Sequence, residues 1–266
     1  MLRLQIQTFT LPKQGYQPDE YEDAWAHDAT ATRLALADGA SDSFESRLWA
    51  QALVQSFIDA PPAPQPEALL TWLEVPLHVW RQGIRWEHLP WYAEEKARRG
   101  AFATLLGLTF AWPESTAAEA DIAEVAWQAL ALGDACLFQV RHETVIVRFP
   151  VTQAADFGTT PALLSTRHDY TERSLAALAT CTGTCLDGDL FILATDALAA
   201  WFLAQVEAGA QPWASLLTLT DETFADGIAA LRQDGAMRND DVTLVLGRVQ
   251  QCRAEARPTG DEEHAG

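Results

Sequence analysis

The sequence predicts an α+β fold in layers, built on antiparallel sheets. Three observations carry this. Apolar runs of strand length and stretches of helical periodicity come in blocks, without strict β–α–β alternation. A Gly133-Asp134-Ala135 step between two strand-like runs reads as a hairpin turn, which pairs strands antiparallel. The 266 residues, 48% hydrophobic, favour one large core over two small ones.

The elements follow in order. Met1 to Phe9 alternates apolar and polar residues, as a half-buried strand does. Arg33 to Asp38 is a short apolar strand ending on an acid. Phe44 to Ile58 reads as an amphipathic helix, with Leu53, Val54 and Phe57 widening its apolar face. The proline-rich stretch 61–66 cannot be helix interior. Glu67 to Arg99 reads as helix, broken near Gly83 and near Pro90. Strands follow at Ala101–Phe110, Glu124–Leu132, Cys136–Arg141, Thr144–Phe149, Asp189–Thr195 and Asp241–Val249, with late helices at Ala197–Val206 and Trp213–Arg232. No internal repeat occurs. One domain spans residues 1–250, and the polar tail 251–266 is expected to fray.

Eighteen basic against 37 acidic residues give a net charge of −19. Such a surface repels nucleic acid and anionic lipid, which excludes both as partners. The surplus has two explanations, solubility and the gathering of carboxylates around hard cations, and composition does not choose between them. No window reaches the roughly 20 apolar residues of a spanning helix, and the amino terminus lacks a signal-peptide pattern, so a cytoplasmic protein without membrane contact is expected.

Several chemistries are missing. There is no Gly-x-Ser-x-Gly, no His-Glu-x-x-His and no phosphate-binding Gly-x4-Gly-Lys loop. The residues six after Cys136, Cys181, Cys185 and Cys252 are His142, Asp187, Phe191 and Pro258, so no cysteine-phosphatase loop exists. The cysteines form neither a zinc set nor a disulfide framework. His168-Asp169 reads as a polar pair in a surface loop. The Trp-rich stretch (Trp72, Trp80, Trp86, Trp91) reads as helix packing rather than a ligand platform. Lys96, Arg98 and Arg99 are either solvated helix-end charges or a basic edge that receives a phosphopeptide.

What remains is an acid wherever an apolar strand starts or stops: Glu22-Asp23, Asp38-Gly39, Gly133-Asp134, Asp196 and Asp240-Asp241. Singly, each is an ordinary turn or N-cap residue. Together they need a common cause. If the strands lie side by side, four or five carboxylates meet at one rim, where they repel unless a cation compensates. An all-oxygen donor set of this kind suits Mg2+ or Mn2+.

In order and spacing these segments resemble the motifs of metal-dependent Ser/Thr protein phosphatases of type 2C. Glu22-Asp23-Ala24 resembles the early Glu-Asp, and Leu36-Ala-Asp38-Gly39 the Val-x-Asp-Gly. Gly100 to Leu105 resembles the Gly-x-Thr strand entry, and Leu132-Gly-Asp134-Ala135 the Gly-Asp-Ser hairpin. Phe191 to Leu198 resembles the apolar strand ending in Ser-Asp-Gly-Leu, and Asp240-Asp241-Val-Thr243 the closing Asp-Asn-Ile/Val-Thr. The match spans residues 20 to 249. It is nearest to bacterial single-domain members, which share the Trp91–Ala97 and Pro161–Ser165 segments.

The resemblance implies a four-layer α/β/β/α sandwich with two central antiparallel sheets. It implies two Mn2+ or Mg2+ ions, with a third, weaker one at Asp134. Asp38 would bridge the two, the Gly39 carbonyl would complete one shell, and Glu22 would reach one ion directly or through water. Asp196 and Asp240 would hold the other, and Asp23 would orient water. Asp38 and Asp23 are the implied catalytic residues. The implied reaction is direct hydrolysis of phosphoserine or phosphothreonine by metal-activated water. A phosphorylated protein is the implied substrate and a Ser/Thr kinase the implied signalling partner. The departures are Pro18, where many members carry a phosphate-clamping Arg, and Ala40, where animal members carry a His. Arg33 and Arg47 are the nearby replacements for the clamp, and no residue is assigned to the substrate phosphate. Two other readings stay open: a pseudophosphatase acting as a binding module, and a hydrolase of small phosphate esters.

Overall fold

The computed structural model describes residues 2–89, 91–112, 124–158 and 160–251. In chain order its elements are β1 (Leu2–Leu11), β2 (Ala24–His27), β3 (Arg33–Ala37), α1 (Ser46–Asp59), α2 (Pro66–Trp72), α3 (Glu74–Gly83) and α4 (Trp91–Arg99). Next come β4 (Phe102–Ala103), β5 (Leu105–Phe110), β6 (Val125–Leu132), β7 (Cys136–Arg141), β8 (Thr144–Phe149), β9 (Leu164–Ser165), α5 (His168–Ser174) and β10 (Ala179–Cys185). The chain closes with β11 (Leu190–Ala194), α6 (Asp196–Glu207), α7 (Trp213–Leu216), α8 (Asp221–Gln233) and β12 (Val242–Gln251).

Two five-stranded sheets result, in the orders β1-β12-β11-β7-β8 and β10-β6-β5-β3-β2, with β4 and β9 as a small separate pair. Every pairing in them is antiparallel. The layers follow from period-2 side-chain alternation. In β3, Leu34 and Leu36 enter the core between the sheets, whereas Ala35 and Ala37 face α1. In β11, Phe191 and Leu193 face the same intersheet core, and Leu190, Ile192 and Ala194 meet α6–α8. Both faces are covered, which is why these strands read as unbroken apolar runs. The four-layer α/β/β/α sandwich is therefore the observed architecture.

Several expectations are corrected. The Gly133-Asp134-Ala135 step is not a hairpin: β6 and β7 lie in different sheets, and the step carries the chain across the sandwich. The tight hairpin is His142-Glu143 between β7 and β8, where both residues adopt the positive φ that a primed turn needs. His168-Asp169 opens α5 instead of lying in a loop. The strand β10 went unpredicted because Ala-Thr-Cys-Thr-Gly-Thr-Cys offers no apolar run; it is an edge strand. The expected 101–110 strand divides at Thr104, and the 213–232 helix divides before Thr220, whose side chain caps α8. The predicted 67–99 helix becomes α2, α3 and α4, ending at Gly83 as expected and also breaking at Leu73. The expected break at Pro90 and most of the polar tail lie outside the described residues.

Of the Trp-rich stretch, Trp80 packs as expected, Trp86 is 45% exposed, and the Trp91 side chain lies outside the described residues. Trp80 is buried and makes edge contacts with Trp49 and Phe44. Trp49 is fully buried, and its Nε1 donates to the Leu164 carbonyl at 3.0 Å, fixing the segment after residue 160. No helix among the described residues is long and apolar enough to cross a membrane.

Candidate metal centre

The antiparallel registers bring one set of strand ends to a common rim. The end of β3 sits beside the starts of β2 and β5, and the end of β11 lies between the starts of β7 and β12. Acids placed just beyond those ends therefore converge. A cavity of about 490 Å³ opens there, lined by Asp38, Gly39, Asp134, Asp196 and Asp240 among others. Five of the seven sequence-predicted site residues thus share one cavity. Gly158, Thr160, Pro161 and Leu163 supply part of its other wall.

Asp38 is held by its backbone. Its N–H donates to Thr104 Oγ1 at 2.9 Å, and its carbonyl accepts from the Thr104 N–H at 2.9 Å. Thr104 is the residue that divides the predicted strand, and this exchange is the reason. Gly39 is required sterically: a Cβ there would lie 2.6 Å from the Glu22 carbonyl oxygen and 3.1 Å from the Ser46 backbone.

Glu22 and Asp23 stand behind this wall. Glu22 does not line the cavity; its carboxylate accepts from Ser46 Oγ at 2.6 Å and from Lys13 Nζ at 3.0 Å. The same Lys13 Nζ donates to Ser41 Oγ at 2.7 Å, and Ser41 does line the cavity. Asp23 is buried and accepts from Thr243 Oγ1 at 2.6 Å, while the Tyr21 hydroxyl meets that same Thr243 oxygen. Asp241 accepts from the backbone N–H groups of Lys13 and Glu22, both at 2.8 Å, and so ties the first loop to the last strand.

Electrostatically the site is under repulsion. Burial first, then the charges of Asp23, Asp240 and Asp134, push the Asp38 carboxyl well above the usual carboxylate range, against the opposing pull of Arg238. Burial pushes Asp23 up to about 7, opposed by its hydrogen bond from Thr243 and reinforced by Asp241 and Asp240. Burial likewise raises Asp134. For Lys13, burial pulls the ammonium down, but the hydrogen bond and charge of Glu22 outweigh it and the net direction is up.

The cation these acids face within the chain is Arg238. Its guanidinium pairs with Asp196 and stands 3.3 Å from Asp240 Oδ2. Behind it, Arg232 donates to the Asp240 carbonyl at 2.6 Å and to the Pro12 carbonyl at 3.1 Å. Neither arginine was a sequence candidate; Arg238 lies only two residues before Asp240, which is the one signal that could have found it. The arginines that the sequence offered as clamps are elsewhere. Arg33 donates to the Ile58 and Asp59 carbonyls at the end of α1, and Arg47 to the Asp19 carbonyl. Lys96, Arg98 and Arg99 are exposed, and none lines the cavity.

Do these residues suit a divalent cation? Among the described residues, no three His, Cys, Asp or Glu side chains stand close enough together to form a ready ligand set. Yet Asp134 Oδ1, Asp196 Oδ1 and Asp23 Oδ1 are buried without a hydrogen-bond partner. Buried carboxylate oxygens are rarely left unpaired. All-oxygen donors with unmet valence, under mutual repulsion, fit a hard divalent ion.

No family model matches this sequence, and no curated protein does. Solved structures define the class by shape: the fold is that of the type 2C Ser/Thr phosphatases. The Mycobacterium tuberculosis serine/threonine phosphatase PstP/Ppp aligns over 93% of this chain and 99% of its own, with TM-score 0.58 and 14% identity. The catalytic domain of PstP in complex with two manganese ions aligns over 94% and 100%, with TM-score 0.56 and 16% identity. The photosystem II phosphatase PBCP aligns over 93% and 99%, with TM-score 0.53 and 15% identity.

Proposed function

We propose that this chain is a single-domain type 2C member, over residues 1–250, that hydrolyses phosphoserine and phosphothreonine in proteins with the help of Mn2+ or Mg2+. The observation that carries the reading is the meeting of Asp38, Asp134, Asp196 and Asp240, drawn from four distant segments, at one cavity with unpaired carboxylate oxygens. The fold shared with PstP, whose catalytic domain was solved with two manganese ions, supports it. By the same analogy the substrate is a phosphoprotein and the partner a Ser/Thr kinase, in the cytoplasm of a bacterium.

Asp38, the Gly39 carbonyl, Asp196 and Asp240 would hold two ions, with Glu22 reaching them directly or through water and Asp134 serving a weaker third. The chemistry such cations supply is Lewis acidity toward phosphate oxygens and the acidification of water. The rest belongs to the chain. Thr104 fixes the Asp38 backbone, so the carboxylate needs little reorganisation. Asp23, which accepts a hydrogen bond from Thr243, would orient water or accept a proton. Ser41 is the serine that lines the cavity, but its neighbour Lys13 is an ammonium that donates to it and is paired with Glu22, so it is no base for a serine nucleophile, in keeping with direct attack by water.

The test is direct. With Mn2+, the purified protein should hydrolyse p-nitrophenyl phosphate and a phosphothreonine peptide, and Asp38→Ala or Asp240→Ala should abolish both activities. Mn2+ binding without turnover would sink the enzyme reading. It would favour a pseudophosphatase, for which the engaged Arg238 and the residues Pro18 and Ala40 speak. Turnover of the small ester alone would favour a small-ester hydrolase.

A further inference from the structure

A phosphate ester entering this cavity meets carboxylates from Asp38, Asp42, Asp134, Asp196 and Asp240. Among the described residues lining it, Arg238 is the one basic side chain. It is also half exposed, with 47% of its side chain open to solvent, and its pairing is to Asp196 and Asp240. Its partner Asp196 is itself one of the acids with an unpaired buried oxygen.

We propose that Arg238 is the phosphate-binding residue of this site, and that it exchanges partners: paired with Asp196 and Asp240 in the metal-free protein, it turns to the substrate phosphate once a divalent cation takes those carboxylates. The inference rests on the metal-dependent reading above. A divalent ion held by Asp196 and Asp240 neutralises the charge that attracts the guanidinium and repels it as a second cation, so binding of the ion weakens the hold on the fork of N–H donors. A guanidinium binds phosphate through two parallel hydrogen bonds, a geometry an ammonium cannot reproduce. The residue that shields the acids from one another in the metal-free protein thereby supplies the clamp that Pro18 cannot.

The experiment compares wild type, Arg238→Met and Arg238→Lys by titration calorimetry, first with Mn2+ alone and then with inorganic phosphate on the Mn2+-loaded protein. Circular dichroism melts confirm that each variant is folded. Arg238→Met should bind Mn2+ about two- to fivefold more tightly, the worth of a half-exposed ion pair. It should bind phosphate about tenfold or more weakly, with Arg238→Lys recovering only part of the loss. Unchanged or weaker Mn2+ binding in Arg238→Met overturns the exchange, and unchanged phosphate binding overturns the clamp. If neither wild type nor Arg238→Met binds Mn2+, the metal reading itself falls and the exchange with it. Binding by Arg238→Met but not by wild type supports the exchange.

Discussion

Lys13 Nζ lies 3.0 Å from Glu22 Oε2, and the two side chains are only 10% and 17% exposed. Around them, Ser41, Ser46 and Asp241 complete a network tying the connection between β1 and β2 to the loop after β3, the start of α1 and the residue before β12. Replacing Lys13 with Met leaves a largely buried carboxylate without its cation, which costs far more than an exposed pair would. We expect Lys13→Met to lower stability by about 2–3 kcal/mol, read as a drop in the urea midpoint with unchanged slope. A change within about 0.5 kcal/mol would place this pair among ordinary surface contacts.

Gly39 yields a prediction of a different origin. Gly39→Ala introduces a Cβ 2.6 Å from the Glu22 carbonyl oxygen, and backbone on both sides prevents either partner from yielding cheaply. The expected cost is about 1–3 kcal/mol, together with weaker Mn2+ binding, because Asp38 is the adjoining residue. Calorimetry and thermal melts on the same preparation check both. Full Mn2+ affinity in Gly39→Ala would show that the backbone at Asp38-Gly39 does not set the site.

How much of this was legible in the sequence depends on range. Asp38, Asp134, Asp196 and Asp240 were readable because each follows or precedes an apolar run, and the strand ends of an antiparallel sandwich share a rim. The layers were readable from runs such as Leu190–Ala194. Lys13, Arg232 and Arg238 were not, since each acts through a contact that depends on three-dimensional register. Thr104 was marked by its place in the Gly100–Leu105 motif, but its role shows only when its hydroxyl is seen to accept the Asp38 N–H. The crossing at Gly133-Asp134 was misread as a hairpin because a short turn between two strands does not reveal whether they share a sheet.

Asp189 shows that an acid at a strand start need not belong to the site. It is 1% exposed and accepts from Gln139 Nε2 at 2.7 Å, from Arg141 at 2.7 and 2.9 Å, and from the Leu186 N–H at 3.0 Å. Every oxygen is used, in contrast to Asp134 and Asp196. Asp189→Ala strands the partly buried Arg141 and should cost about 3–5 kcal/mol. The folded fraction should bind Mn2+ with wild-type affinity. A loss of Mn2+ binding comparable to that in Asp240→Ala would contradict the division between structural and site acids.

The sharpest prediction sets stability against binding at Asp38. In the metal-free protein its charge is disfavoured by burial and by Asp23, Asp240 and Asp134. Asp38→Asn removes that charge while keeping the shape and the backbone exchange with Thr104. The metal-free variant should therefore be more stable than wild type, by about 1–2 kcal/mol, the usual gain when a functional strain is relieved. Added Mn2+ should reverse the order. Wild type gains about 2.7 kcal/mol at a free concentration 100 times the dissociation constant, provided the unfolded chain does not bind. Asp38→Asn, lacking a carboxylate proposed to hold the ions, should gain little. Paired thermal melts with EDTA and with Mn2+ read both signs at once. A variant less stable than wild type in EDTA would mean that the Asp38 charge is compensated within the protein, and a variant that gains as much as wild type from Mn2+ would remove Asp38 from the ligand set.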